Sequence, residues 1–284
     1  MTEPRRARES VLVDTRWVED ALGDPSVRLI DVDEDTTAHA RGHIPGAIGW
    51  HWRDDLRDPV RRQIIGPEGV TELLRRSGVG PQTTVVLYGG NANWFAAYAY
   101  WLLRHSGFDR VRLMDGGRRR WEMEGRRLTR ATAETPHADP GPLAPVREAF
   151  RVGRDEVIAA IDTPGIRLVD VRAPAEFRGE MLAPPHLPQE QAQVPGHIPG
   201  AVNVPWFALV REDGAYRTDD EIRAIFDHAG LRPEEECIVY CRIGERGSHT
   251  WLALHELLGV PARHYDGAWT EYGSLVGVPV EVDL

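Results

Sequence analysis

"GHIPGAI", residues 42–48, returns as "GHIPGAV" at residues 196–202, and this repeated heptapeptide shows how the chain is organised. Upstream of each copy, "RLIDVDEDT" at 28–36 answers "RLVDVRAPA" at 167–175. Downstream, "TVVLYGGNANWFAAYAYWLLRHSG" at 84–107 lies over "CIVYCRIGERGSHTWLALHELLG" at 237–259, with Tyr88 on Tyr240 and Gly107 on Gly259 at a constant offset of 152. Further on, "MDGGRRRW" at 114–121 matches "YDGAWTEY" at 265–272. Four matches in the same order make each half a copy of one structural unit.

Within each unit, short β-branched runs alternate with helix-length segments, the pattern of a parallel sheet flanked by helices, so the expected class is α/β. In the second copy "RLVDV", "AVNV", "CIVY" and "ARHY" read as strands, and 154–161, 219–229 and 248–258 as helices. Trp251, Leu252, Leu254, Leu257 and Leu258 give the last of these a broad apolar face. Residues 129–149, rich in Pro and Ala with no apolar period, read as a linker. The expected units are therefore 11–128 and 150–284.

A chain of 284 residues can bury two cores of ordinary size. Its net charge of -10 argues against a general nucleic-acid or anionic-membrane binder, though not against a local basic pocket. The opening "MTEPRRARES" has no apolar segment behind it and does not read as a secretory signal. The longest apolar run, "WFAAYAYWLL" at 94–103, is about half of what a membrane helix needs. A soluble, cytoplasmic protein is the expectation.

Of the two cysteines, Cys237 sits mid-strand without basic neighbours and reads as a core residue. Four positions along an extended strand separate the pair by about 13 Å, too far for a disulfide, and no His-rich spacing completes a zinc site. Cys241 is different. It stands where strand gives way to helix, the place where ligands collect in open α/β sheets. A helix beginning near Gly247 or Ser248, together with Arg242 and Arg246, is expected to lower the thiol pKa and to attract an anion. Gly244 and Gly247 let the backbone curl so that several N–H groups face one sulfur. The first copy, "YGGNANW", places Gly89 at this position and lacks both arginines. That contrast favours a nucleophilic Cys241 over a buried strand cysteine beside a solvated loop.

Two tandem units, "GHIPGA" in each, an aspartate closing a strand in "LVDVR" and a Cys-Arg-x-Gly-x-Arg loop in the second unit alone resemble the rhodaneses, in particular tandem-domain thiosulfate sulfurtransferases. The resemblance covers residues from about 11 to 284 and implies an inactive first domain. It also implies that Cys241 accepts sulfur from a small anionic donor, thiosulfate, as a persulfide. A thiophilic acceptor then removes it: cyanide, or a thiol such as that of a thioredoxin-like protein. Catalysis needs no metal or organic cofactor on this reading. Arg242 and Arg246 would orient the sulfonate, and the N–H groups of the loop Arg242, Ile243, Gly244, Glu245, Arg246 and Gly247 would hold the persulfide charge.

Loop length separates this reading from the related cysteine phosphatases and arsenate reductases, in which five residues lie between cysteine and arginine; here four lie between Cys241 and Arg246. 3-Mercaptopyruvate as donor is a closer alternative, and Arg242 rather than Gly after the cysteine leans toward thiosulfate. A non-catalytic sulfur-relay or partner-binding module would share the fold, and turnover distinguishes it. Two positions depart from the family pattern. Gly247 stands where Ser or Thr is common, leaving Ser248 to cap the helix. Glu176 stands where mammalian relatives carry an arginine, with Arg172 or Arg178 to compensate for an acid near an anionic substrate. His43 and His197 occur in both copies and read as turn hydrogen bonds, and Asp115 and Asp266 as Asx turns. Trp94, Trp101, Trp121, Trp206, Trp251 and Trp269 read as packing residues. The Pro-rich insertion 179–196 has no counterpart in the first copy and is placed at the mouth of the site.

Overall fold

The heptapeptide folds for a local reason. In each copy Ile-Pro-Gly-Ala closes a β-turn: Ala47 N–H donates to Ile44 O at 3.0 Å and Ala201 N–H to Ile198 O at 3.1 Å. Proline presets the second position, and the third must take a positive φ, +82° at Gly46 and +71° at Gly200. That is a type II turn, which favours glycine there. The computed structural model describes residues 6–184, 190–232 and 234–283, and they divide into two compact units. The first is Ala7–Arg147 with Glu212–Ala215; the described residues of the second fall in Glu148–Arg211 and Tyr216–Leu284, joined by Arg6.

The first unit contains β1 (Leu12–Val13), β2 (Val27–Asp33), β3 (Ile48–His51), β4 (Thr84–Tyr88) and β5 (Val111–Met114), all parallel, in the order β1-β5-β4-β2-β3. Its central strands are near-continuous apolar runs, as strands covered on both faces must be. The run that looked half a membrane span is the Trp94–His105 helix, buried along its whole length, so its all-round hydrophobicity is that of a core helix. Val13, Val18, Leu29, Ile44, Val86, Tyr88 and Trp121 form a further buried apolar cluster of this unit.

The second unit contains β6 (Ile166–Asp170), β7 (Val202–Asn203), β8 (Glu236–Tyr240) and β9 (Ala262–His264), parallel, in the order β7-β6-β8-β9. The predicted helices appear as Arg154–Ala160 and Asp219–His228, the latter capped by Thr218 and Glu221 in a capping box. The third differs. It starts at Glu245, three residues before its predicted start, and continues from Leu252 to Leu258 with wider π-type turns. Gly244, at φ +107°, reverses the chain tightly enough for the helix to begin at once.

Register repeats as well as topology. Asp31 lies opposite Tyr88 and Asp170 opposite Tyr240. Each tyrosine hydroxyl accepts the Ile N–H of its own heptapeptide, from Ile44 and from Ile198, both at 3.1 Å. Each heptapeptide histidine bonds to backbone carbonyls, His43 Nδ1 to His39 O and His197 Nδ1 to Phe177 O, both at 2.9 Å. The same residues anchor returning chain by paired backbone bonds, His43 with Thr129 and His197 with Glu281. The histidines are therefore structural, as the turn reading expected. Asp115 and Asp266 face arginines from the start of their own units, Arg8 at 3.9 Å and Arg151 at 2.7 Å, ion pairs that the turn reading did not anticipate. Five of the six singled-out tryptophans are buried, and Trp206 is half-buried.

Candidate active site

β8 delivers Cys241 to the floor of a loop that must turn into a helix within four residues. The Gly244 N–H donates to Cys241 Sγ at 3.1 Å, and the Gly247 N–H also bonds to that sulfur. The loop is tied down from behind: Trp269 N–H donates to Cys241 O at 2.9 Å, and Thr270 holds Arg242 O through its N–H at 3.0 Å and its hydroxyl at 2.5 Å. Gly247 is required by contact. A Cβ there would lie 2.7 Å from His264 Nε2, whose ring is fully buried. The hydroxyl-bearing residue usual at this position has no room, and an imidazole occupies its space. Ser248 does not cap the helix as expected. Its hydroxyl bonds back to Gly244 O at 3.1 Å, inside the helix that began earlier than predicted.

The electrostatics correct another expectation. Cys241 is fully buried, and its thiol is pushed up to about 12 by that burial, with Glu245 adding to the rise; Arg246 and the Gly247 and Gly244 N–H groups act against it without prevailing. Burial and the Glu245 carboxylate thus favour the thiol, which is placed to donate to Glu245 Oε2 at 3.5 Å. Cys237 is also buried and raised to about 12, as a core cysteine should be.

Glu176 explains itself through Arg246. The two form a buried bidentate pair, Arg246 Nη1 to Oε2 at 2.8 Å and Nη2 to Oε1 at 3.1 Å. Burial alone would raise the Glu176 carboxyl. The Arg246 bonds and charge, with Arg172 and the Ala173 N–H, outweigh it and hold the group below the ordinary carboxylate range. Arg178 does not compensate the acid as expected; it pairs with exposed Glu180 instead. Arg246 also lies 3.4 Å from Glu245 Oε1. Arg242, buried, reaches the described end of the insertion, donating to Glu190 O at 3.3 Å. That segment packs close by, with Trp269 Nε1 donating to Val194 O at 3.1 Å; residues 185–189 of the insertion lie outside the described residues. Ile243 is buried. The loop residues Cys241, Gly244, Glu245, Arg246 and Gly247 therefore converge, while Arg242 is directed to the insertion.

The first copy uses the same frame to close the same place. Gly89 replaces Cys241, and a Cβ there would lie 2.3 Å from Val32 O. Asn93 stands at the position of Glu245 and spends its side chain on backbone, accepting from Gly89 N–H at 3.0 Å and donating to Met114 O at 2.7 Å. Asp33 accepts the Gly90 N–H at 2.9 Å where the second copy carries Arg172, and burial pushes its carboxyl up to about 6.

An arginine clamp is also exchanged between the copies. In the second, Arg172 binds Asp170 with its Nε and Nη2, donates Nη2 to Gly196 O at 2.6 Å and lies 4.7 Å from the Trp269 ring. In the first, Arg118, at the repeat position of Trp269, binds Asp31 and donates to Gly42 O at 2.6 Å. Both link the matched strand aspartate, Asp31 or Asp170, to the first glycine of the heptapeptide. Sequence reading missed this clamp because its members come from different elements; the paired Asp and Gly positions were its only trace.

Two parallel α/β units on one plan, with a buried cysteine seated in the loop of one copy alone, define the class. The chain belongs to the rhodanese family: the Rhodanese-like domain matches it twice, at residues 14–124 and 153–275. It is 51% identical over 277 residues to a Mycolicibacterium smegmatis protein named "Putative thiosulfate sulfurtransferase", covering 97% of this chain and 99% of that one. It is 47% identical over 281 residues to "Sulfur carrier protein TtuD" of Thermus thermophilus, covering 96% and 97%. Among solved structures it resembles an EanB variant with ergothioneine covalently linked to a cysteine persulfide, at 25% identity and a TM-score of 0.84, covering 99% of this chain and 72% of that one. Among the described residues no helix is long and apolar enough to cross a membrane.

Proposed function

We propose that the protein is a thiosulfate sulfurtransferase that carries sulfane sulfur on Cys241 and passes it to a thiophilic acceptor, cyanide or a thiol. The observation that carries this reading is the single seat for a sulfur nucleophile: Cys241 Sγ under the N–H groups of Gly244 and Gly247 in one copy, against a Gly89 with no room for a side chain in the other. Two inward N–H groups suit a persulfide anion as an oxyanion hole suits an oxyanion. The relatives named for thiosulfate and for sulfur carriage, and the cysteine persulfide of EanB, support the same chemistry.

Thiosulfate enters, Cys241 sulfur attacks its outer sulfur, and sulfite leaves with the electron pair of the broken S–S bond. Arg242 orients the sulfonate by exchanging its contact with Glu190 O for the anion, while Arg246 stays held to Glu176 by two hydrogen bonds. The acceptor, such as the thiol of a thioredoxin-like protein, then removes the outer sulfur. Steady-state transfer to cyanide, read as thiocyanate, tests the donor. Thiosulfate is expected to give the higher kcat/KM. A preference for 3-mercaptopyruvate would move the assignment to that donor, and single loading without turnover would make the chain a sulfur carrier.

A further inference from the structure

Cys241 is fully buried, so bulk water does not touch its sulfur and cannot take its proton directly. The thiol donates to Glu245 Oε2, at 3.5 Å. Glu245 is itself 1% exposed, and its other oxygen, Oε1, lies 3.4 Å from Arg246 Nε as an ion pair without a hydrogen bond. Arg246 is fixed in turn by the bidentate contact with Glu176. In the chain Cys241–Glu245–Arg246–Glu176 the two carboxylate oxygens of Glu245 thus have different partners, one facing the sulfur and the other the cation that orients it. This is the geometry of a nucleophile, its base and an orienting group. The first copy lacks both ends of it, with Gly89 for the cysteine and Asn93, bonded to backbone, for the glutamate.

We propose that Glu245 is the base that takes the Cys241 thiol proton as the sulfur attacks its donor, and the acid that returns it when the sulfur is passed on. The proposal rests on the sulfurtransferase reading above. In the first half-reaction the S–H proton moves to Oε2, the Cys241 lone pair forms a bond to the outer sulfur of thiosulfate, and that sulfur's bond to the sulfonate breaks, its electron pair leaving on sulfite. In the second, the acceptor bonds the outer sulfur, the persulfide bond breaks with its pair returning to Sγ, and Oε2 returns the proton. With cyanide the product is thiocyanate; no external oxidant or reductant is needed.

The groups facing this pair are Arg246 on the same helix, Glu176 and Arg172 beside it in charge, and His264 from β9 next to Gly247. A merely electrostatic Glu245 and a basic Glu245 predict opposite effects. Removing a carboxylate beside the thiol eases ionisation and speeds attack if charge is all that matters. Removing a base slows it, by about a hundredfold or more.

The test compares wild type with Glu245→Gln, folding being checked by circular dichroism and thermal melting. Sulfur loading from thiosulfate is timed by intact mass across pH, and Cys241 ionisation is followed by thiolate ultraviolet absorbance against Cys241→Ala. Expected is a lower thiolate titration in Glu245→Gln together with loading slowed about a hundredfold near neutral pH, recovering about tenfold per pH unit as hydroxide supplies the missing base. Equal or faster loading in the variant overturns the proposal. If wild type takes no sulfur from thiosulfate, the functional reading falls and alkylation of Cys241 by iodoacetamide decides alone: a rate near neutral pH that is lower in Glu245→Gln upholds the base, and an equal or faster rate overturns it.

Discussion

Gly247 and Glu176 show how far single residues depart from a family pattern without losing its frame. Gly247 yields its hydroxyl because His264 fills the space, so Gly247→Ser is expected to destabilise by about 1–3 kcal/mol as overpacking does, read as a lowered urea midpoint, with Gly247→Ser/His264→Ala recovering part of the loss. No recovery would place the strain in the loop backbone. Glu176 is a depressed carboxylate, and the sign follows. Its pairing stabilises the fold fully above the ordinary glutamate value of about 4.3 and is lost as pH falls through its lower folded value. Glu176→Gln removes the bidentate partner of buried Arg246, leaving only the Glu245 ion pair, and is expected to cost about 3 kcal/mol at neutral pH. The gap to wild type should narrow as both are acidified, and urea melts across pH check this. Neither relation is legible in the sequence. Spacing shows which residues share a loop, but His264 and Glu176 reach it from other elements.

Among elements, the strands and the Arg154–Ala160 and Asp219–His228 helices were legible because their cues are local: β-branched runs, an apolar face and, for the second helix, Thr218 three residues before Glu221. The start of the Cys241 helix was misplaced because glycine reads as a breaker, whereas Gly244 at φ +107° is what lets the helix begin at Glu245. A residue with a side chain at that φ is strained, so Gly244→Ala is expected to destabilise by about 1 kcal/mol or more. It should also weaken the Gly244 N–H contact to sulfur, lowering the rate of sulfur loading more than the urea midpoint implies. Equal loading at the reduced stability would show that the contact is not used.

For the whole molecule, duplication was the most legible feature and the divergence of the copies the least. Four matched segments announced two units, but only the structure reveals that the clamp arginine moved from Arg118 in one to Arg172 in the other, each closing the same Asp–Gly link. The first copy is shut by backbone as well as by sequence. Gly89→Cys in a Cys241→Ala background is therefore expected to gain no sulfur, since its Cβ would strike Val32 O. Whether Cys241 carries the sulfur is decided by the intact mass of the protein after incubation with thiosulfate, alongside Cys241→Ala. A gain of one sulfur atom is expected in the wild type, lost on adding cyanide and absent from the variant. No gain in the wild type, or an equal gain in Cys241→Ala, would refute the persulfide.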